Sequence, residues 1–380
     1  MSTPPTDEEG GVLLSAVMIV RDEAARLERC LRSLQPVVDE IVVVDTGSTD
    51  ETVSIAEAHG CVVGHFPWID DFAAARNHSL DLARGEWVLM VDADEVVAPS
   101  ARPVAEQLLD RPPTDLALAV LWRPAPGLEP MREIRMWRNR PDVRFRGFIH
   151  ENVMDDLDAL IDDGEGGIEG VDLLLEHDGY EGDQSHKLDR DLPLLEAEIA
   201  SGRERPYLRQ HQGAILLSLG REQEARAAWQ RGADLAVEQG LGRLQDSGCH
   251  FQLVVQGAHR GWDVTSVADE AWQHFDLGVI AWALIIHGEV LGRDEAVIAA
   301  ATRLMSGPQA QDEQGSLDPR IFGAWPMVAR GKAHLRRGDP VAAVADLRAA
   351  EEAAPWVHEY RILRQAAEAA ARREEGAMCG

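Results

Sequence analysis

Hydrophobic positions in the first part of the chain come in short continuous runs separated by amphipathic stretches, the pattern of strands alternating with helices. Val12–Val20, Ile41–Asp45, Cys61–His65 and Trp87–Val91 read as strands, apolar enough to be buried on both faces of a parallel sheet. Between the first two, Asp22–Leu34 places Leu27, Cys30, Leu31 and Leu34 along one helical face. Ser48 and Glu51 fit a capping box opening a second helix that ends near Gly60. Phe72–Ala83 reads as a third helix, with Gly85 in the place of a left-handed cap. Right-handed crossovers turn such a βαβαβαβ run into a doubly wound parallel sheet, whose ligands bind outside the carboxyl ends of the strands.

From about Leu116 the pattern shifts to LALAVLW, REIRMW and VRFRGF, short strands with no recognisable helix between them, which predicts an antiparallel extension of the sheet. Asp162–Gly170 reads as a glycine-rich acidic loop. Beyond Gln184 the chain becomes helical and alanine-rich. Two segments overlay at one period: Gly213, Gly220, Ala225 and Trp229 in the first, Gly331, Gly338, Ala343 and Leu347 in the second. The second also puts Ala350 and Pro355 where a tetratricopeptide repeat has them, and a weaker copy spans Ile286–Met305. Residues 190–372 therefore read as three to five helical hairpins, with a plain helical bundle as the alternative. Stacked hairpins form a curved surface that binds an extended peptide or a second subunit. The expected organisation is a flexible tail at 1–10, an α/β sheet domain at 11–185 and an all-α repeat domain at 186–375.

Composition narrows the function. A chain of 380 residues with 45% hydrophobic content can bury two cores. Its 66 acidic residues outnumber 37 basic ones, a net charge of −29 that repels phosphate backbones and anionic lipid, so nucleic acid is a poor partner. The same field draws in a neutral or cationic acceptor such as a basic peptide, or serves solubility alone. Cys30, Cys61, Cys249 and Cys379 form neither a disulfide framework nor a zinc site and read as reduced thiols. The polar, acidic start MSTPPTDEEG is unlike a signal peptide, and no apolar run approaches the roughly 18 residues of a membrane helix. These features predict a cytoplasmic protein without membrane insertion.

The candidate chemistry lies in acids at strand ends. Asp45 closes VVVD, and Asp92 and Asp94 follow WVLMV in a single turn, so three carboxylates converge on one sheet edge. Hard divalent cations such as Mg²⁺ or Mn²⁺ take one or two carboxylates together with substrate phosphates. A nucleotidyltransferase also puts acids there, but its glycine-rich basic loop after the first strand is replaced here by VRDEAARL.

Seven ordered motifs carry a resemblance: VMIVRDEAARLERCLRSL, EIVVVDTGSTDET, FPWIDDFAAARNHSL, WVLMVDADE, REIRMWRN, VRFRGFIHENV, and LLLEHDGY followed by KLDRDLPLLE. Over roughly residues 12–196 the chain resembles inverting family 2 glycosyltransferases of the GT-A fold, in the subgroup with C-terminal tetratricopeptide repeats. That subgroup is similar to bacterial peptide S- and O-glycosyltransferases, the sublancin glycosyltransferase among them, and to enzymes that decorate lipopolysaccharide cores. The resemblance implies transfer of a sugar from a nucleotide-diphosphate donor, a UDP-sugar first, to a peptide or protein side chain, with a glycan acceptor or a catalytically decayed repeat scaffold as alternatives. It implies that Asp45 binds the nucleobase, that Asp92 meets ribose or metal, and that Asp94 ligates the metal. Arg21 to Glu23 would line the nucleotide pocket, although Asp22 stands where the family often has Asn. Arg76 and Asn77 would approach the nucleotide or diphosphate, and Trp68 would floor the sugar site. Glu151 is nominated as the base that takes the acceptor proton, its alternative being a glutamate that orients an arginine. His150 and His177 are the candidate histidine ligands, and Asp178 stands where the family has an aromatic residue. Arg135 and Arg138 would balance phosphate or acceptor charge or pair with surface acids. The repeats would hold the acceptor or pair two copies in a homodimer.

Overall fold

The computed structural model describes residues 12–99, 103–109, 111–125, 130–177, 185–307 and 319–378; the tail at 1–10, Asp178 and Cys379 lie outside them. The chain divides into two compact units between Glu198 and Ile199, near the end of a helix rather than at the change of composition near Gln184.

Among the described residues of the first unit, eight strands form one sheet in the order β3-β2-β1-β4-β7-β6-β8-β5. They are β1 (Leu14–Val20), β2 (Glu40–Asp45), β3 (Val62–His65), β4 (Trp87–Met90), β5 (Glu95–Ala98), β6 (Asp115–Arg123), β7 (Met131–Arg138) and β8 (Gly167–His177). β1 to β4 pair in parallel, as the alternating pattern predicts, and β4–β7, β6–β7 and β5–β8 pair antiparallel. Side chains along β1 and β2 alternate between two cores. Ala16, Met18, Ile41 and Val43 face α1 (Ala24–Leu34), α2 (Thr52–Ala58) and α4 (Val104–Leu108). Val17, Val42 and Val44 face α3 (Phe72–Leu82) and α5 (Met154–Asp162). Both faces are thus covered, which is why these strands read as continuous apolar runs. α6 (Ser185–Ala200) follows β8.

Four local expectations are corrected. Ser48 caps no helix: α2 begins only at Thr52, and the Ser48 hydroxyl accepts from Asp22 N across to the first loop instead. Gly85 is not a left-handed cap, since α3 ends at Ala83 in extended backbone. Gly85 is required because a Cβ there would lie 2.6 Å from Ser15 N and Trp87 O. VRFRGF is not a strand; it contributes a single bridge, Arg146 to Asn152. The acidic loop at 162–170 ends early, because β8 starts at Gly167, beside β6 in parallel.

At the opposite edge of the sheet from the strand-end acids, Glu40 is sealed in a satisfied polar cluster. It accepts from Ser15 Oγ at 2.6 Å, Arg84 N at 2.8 Å and Arg84 Nε at 2.7 Å, and Ser15 Oγ accepts in turn from Gly85 N. Burial alone would raise this carboxyl, but the bonds from Ser15 and then Arg84 hold it below the ordinary 4.5. A folded-state value below the unfolded one stabilises fully above the unfolded value and is lost as pH falls through the folded one. Glu40→Gln is accordingly expected to flatten the acid limb of stability below about pH 4.5, read as urea midpoints of mutant and wild type across that range; parallel curves would refute the assignment.

The second unit is helical: α7 (Pro206–Ser218), α8 (Glu222–Glu238), α9 (Gly248–Arg260), α10 (Thr265–His274), α11 (Gly278–Leu291), α12 (Asp294–Ser306), α13 (Ala324–Arg336), α14 (Pro340–Ala353) and α15 (His358–Met378). The repeated glycines have two distinct causes. Gly220 and Gly338 end α7 and α13 at φ +74° and +75°, a backbone that costs other residues strain. Gly213 and Gly331 sit where the next helix comes closest, so a Cβ would fall 2.3 Å from Trp229 Nε1 and 2.8 Å from Leu347 Cγ. The weaker copy keeps the turn, with Gly292 at φ +65° and Val297 and Ala301 fully buried. Trp229 is itself fully buried and donates to Gln210 O at 3.0 Å. Gly213→Ala is therefore expected to cost about 1–3 kcal/mol, seen as a lower urea midpoint by tryptophan fluorescence, whereas an unchanged midpoint would mean the hairpin is loosely packed.

Candidate active site

The carboxyl ends of β1 and β2 are tied together by their own loops. Asp22 has a left-handed backbone, φ +55°, and its Oδ1 accepts from Thr49 N at 2.7 Å and Thr49 Oγ1 at 3.1 Å. Glu23 N and Ala24 N donate to Thr52 Oγ1 and Asp50 Oδ2. Asp45 accepts from Ser48 N at 2.9 Å and Gly47 N at 3.2 Å, with His65 Nδ1 3.6 Å away. Burial would raise the Asp45 carboxyl, but the bonds from Ser48, Gly47 and His65 leave it below its usual value. The first task of Asp45 is thus to shape the loop that bounds the site. Arg21 is exposed at the same edge.

One connection down the sheet, a chain of alternating charge runs through the turn after β4. Arg76, from the buried face of α3, is 8% exposed; its Nη2 donates to Asp92 Oδ1 at 2.8 Å and its Nε to Glu151 Oε1 at 2.6 Å. Arg135 approaches Asp92 from the other side, Nη1 to Oδ2 at 3.6 Å, and also meets Glu133 at 2.9 Å and Glu95 at 3.4 Å. Glu95 is 1% exposed, accepting from Asp92 N at 2.9 Å and Trp122 Nε1 at 2.7 Å. Burial would raise the Asp92 carboxyl, yet Arg76 and then Arg135 hold it down, to about 2. Glu95 goes the other way: burial, then the Asp92 charge, push it up to about 7. Two carboxyls three residues apart are thereby shifted in opposite directions by their surroundings.

Arg135 reaches this position through a β-bulge. Met136 pairs with Leu118 and Ile134 with Ala119, so Arg135 is an extra residue in β7 with no rung opposite it. Such an insertion bends the strand and re-aims the side chain that carries it. Strand alternation read from REIRMW cannot show this, which is why surface pairing was a reasonable expectation. Arg138 follows that expectation, pairing with Glu86 and lying 4.4 Å over the Trp87 ring.

Asp94 faces a different group. β5 and β8 pair so that Glu95 lies opposite His177, and His177 Nε2 sits 3.1 Å from Asp94 Oδ2, with side chains 10% and 27% exposed. Trp122 stacks edge-on against His177 at 6.2 Å. Glu23 also faces Asp94: burial pushes its carboxyl up against the pull of Arg26, and the Asp94 charge adds to the rise. No group of three or more histidine, cysteine or acidic side chains is assembled for a metal among the described residues. A carboxylate and an imidazole at 3.1 Å nevertheless fit a hard cation that completes its shell with phosphate oxygens and water.

The structure therefore separates residues that the motifs grouped. Asp92, expected on ribose or metal, is held in an arginine clasp. Glu151, nominated as base, is the anchor of Arg76, with its side chain 11% exposed. Asn77 is bonded to the loop after β7: its amide donates to Phe145 O and accepts from Phe145 N, both at 2.9 Å. His177 reaches Asp94. His150 takes a left-handed backbone, φ +52°, and burial pushes its imidazole down to about 4, so it is neutral near pH 7. Trp68 is tied to its own loop, donating to Asp70 Oδ1 at 2.8 Å and meeting Phe72 edge-on at 4.7 Å. Glu95 and Trp122 are the site residues that motif reading missed.

Residues 15–159 match the family model "Glycosyl transferase family 2". A TPR repeat-containing protein of Synechococcus elongatus is 46% identical over 149 residues, 39% of this chain and 37% of that protein. An uncharacterized glycosyltransferase of Rickettsia bellii is 35% identical over 28% of this chain and 36% of its own length. The chain thus spans about a third of the length of these curated relatives. The glycosyltransferase SunS of Bacillus subtilis is 27% identical over 55% of this chain and 50% of its own. Among solved structures, glucosyl-3-phosphoglycerate synthase from Mycobacterium tuberculosis with Mn²⁺ and UDP-glucose aligns at TM-score 0.37 and 20% identity, over 49% of this chain and 78% of that one.

Proposed function

We propose, from the premise that residues 15–159 form a family 2 glycosyl transferase domain, that this protein moves a sugar from a nucleotide-diphosphate donor, a UDP-sugar first, to a peptide or protein side chain with inversion. The observation that carries this reading is the Asp94–His177 pair beside the Arg76–Asp92–Arg135 clasp, which together form a cation-and-diphosphate station at the carboxyl edge of the sheet. Asp94 and His177 are the residues that would hold Mg²⁺ or Mn²⁺. When bound, the cation would neutralise charge on the leaving diphosphate as a Lewis acid. Asp92 holds its two guanidiniums in place, so positive charge is fixed before the donor arrives and need not reorganise during transfer. Glu151 acts by orienting Arg76 rather than by taking the acceptor proton. Asp45, Glu23 and Arg21 bound the nucleotide side, and Trp68 lies on the loop before α3 where the sugar would rest. A peptide acceptor is supported by the match to SunS, by the helical hairpins and by the acidic surface.

The test is nucleoside diphosphate release from a panel of sugar nucleotides, with Mg²⁺ or Mn²⁺ and then with EDTA, alongside direct measurement of donor binding. Metal-dependent release from one donor supports the transferase and names its sugar. Absence of both release and binding across the panel would leave a repeat scaffold without transfer activity.

A further inference from the structure

We propose that the cavity between α10, α11 and α12 is a peptide-binding pocket that receives a tyrosine side chain. The cavity measures about 240 Å³, below the usual range of small-molecule sites and sized for one large side chain. Its floor is apolar: Ala268, Leu284 and Ala300 are buried, and the Trp272 ring closes one wall with the Arg303 guanidinium 4.3 Å over it.

The wall also carries His287, which is only 5% exposed yet whose side chain makes no hydrogen bond or ion pair among the described residues. His287 lines the cavity, so a ligand seated there meets its ring. A buried polar group without a partner is costly, and a ligand that supplies the partner recovers that cost. Burial lowers the His287 imidazole below its ordinary value, which keeps it neutral, with one donor and one acceptor nitrogen.

The complement to an apolar slot with one neutral imidazole is a flat ring bearing one hydroxyl. At the mouth stand Asp269 and Arg293, whose side chains make no hydrogen bond or ion pair among the described residues. One accepts only and the other donates only, which matches the N–H and C=O of a peptide unit carrying the ring. Ala299 is an exposed rim residue shared with a second cavity lined by His334 and Arg337, so the backbone can continue across α12. The inference does not depend on the transferase reading, because it concerns binding by the helical unit alone.

Saturation-transfer NMR on the full chain, with N-acetyl-tyrosinamide, N-acetyl-phenylalaninamide and N-acetyl-alaninamide as probes, tests it. The tyrosine probe is expected to bind with a millimolar constant and the phenylalanine probe about tenfold more weakly, for want of the hydroxyl. Ala299→Trp, at an exposed position, should block binding with melting temperature unchanged, and His287→Phe should make the two aromatic probes equal. Equal binding of both aromatics by the wild type, no binding of the tyrosine probe, or full binding by a folded Ala299→Trp protein would overturn the proposal.

Discussion

Replacing Arg76 with alanine is expected to cost the first unit about 3–5 kcal/mol, the usual penalty for deleting one partner of a buried ion pair. The reason lies in what is left behind. Glu151 and Asp92 both lose their closest cation, and Glu151 is nearly enclosed, so an uncompensated charge stays inside the fold. Arg76→Lys should recover only part of the loss, because an ammonium cannot present two donors in the fixed fork that meets Glu151 with Nε and Asp92 with Nη2. Pairing Arg76→Met with Glu151→Leu should restore more stability than either change alone predicts, since the orphaned carboxylate goes with its partner. Urea unfolding followed by circular dichroism reads all three. A loss under about 1 kcal/mol for Arg76→Ala would mean these carboxylates find water, as exposed pairs do.

The second large effect is on rate rather than stability. Asp94→Ala is expected to lower metal-dependent turnover of the sugar nucleotide by about a hundredfold to a thousandfold, the range seen when one preorganised group facing a developing charge is removed. Unfolding should move by no more than about 0.5 kcal/mol, because Asp94 is partly exposed and pairs with His177. His177→Ala should follow Asp94→Ala in the metal concentration needed for half-maximal rate, whereas His150→Ala should not. If His150→Ala raised that concentration and His177→Ala did not, the histidine assignment would be reversed. Together the Arg76 and Asp94 variants separate a group that holds the site in shape from one that touches the reacting partners.

The parallel half of the sheet was legible because its evidence is local: apolar runs, an amphipathic helix with Leu27, Cys30, Leu31 and Leu34 buried, and acids at strand ends. The repeats were legible for a similar reason, their glycines being demanded by turns and close approaches that recur. What could not be read depends on pairing between distant segments. β5 and β8 are short or irregular in sequence and become strands by lying against one another and β6, and that pairing alone brings His177 to Asp94. VRFRGF looked like a strand, but Phe145 is pinned by Asn77 and packs on Trp137, so tertiary bonds set its path. Nothing in DADE sets Glu95 apart from a surface acid; only burial beneath Trp122 does. Motif spacing identified which segments meet at the site; it did not say which carboxylate would face a cation and which an arginine.

The unpaired rung in β7 makes the length of that strand editable at one place. Excising Arg135 alone would bring Ile134 and Met136 into consecutive register with Ala119 and Leu118, closing the ladder while removing the guanidinium. An insertion or deletion elsewhere in the strand would turn over the side chains beyond it. A single-codon deletion could therefore disarm this edge of the sheet while leaving its architecture whole, a route to losing activity that no substitution at an acid would mimic.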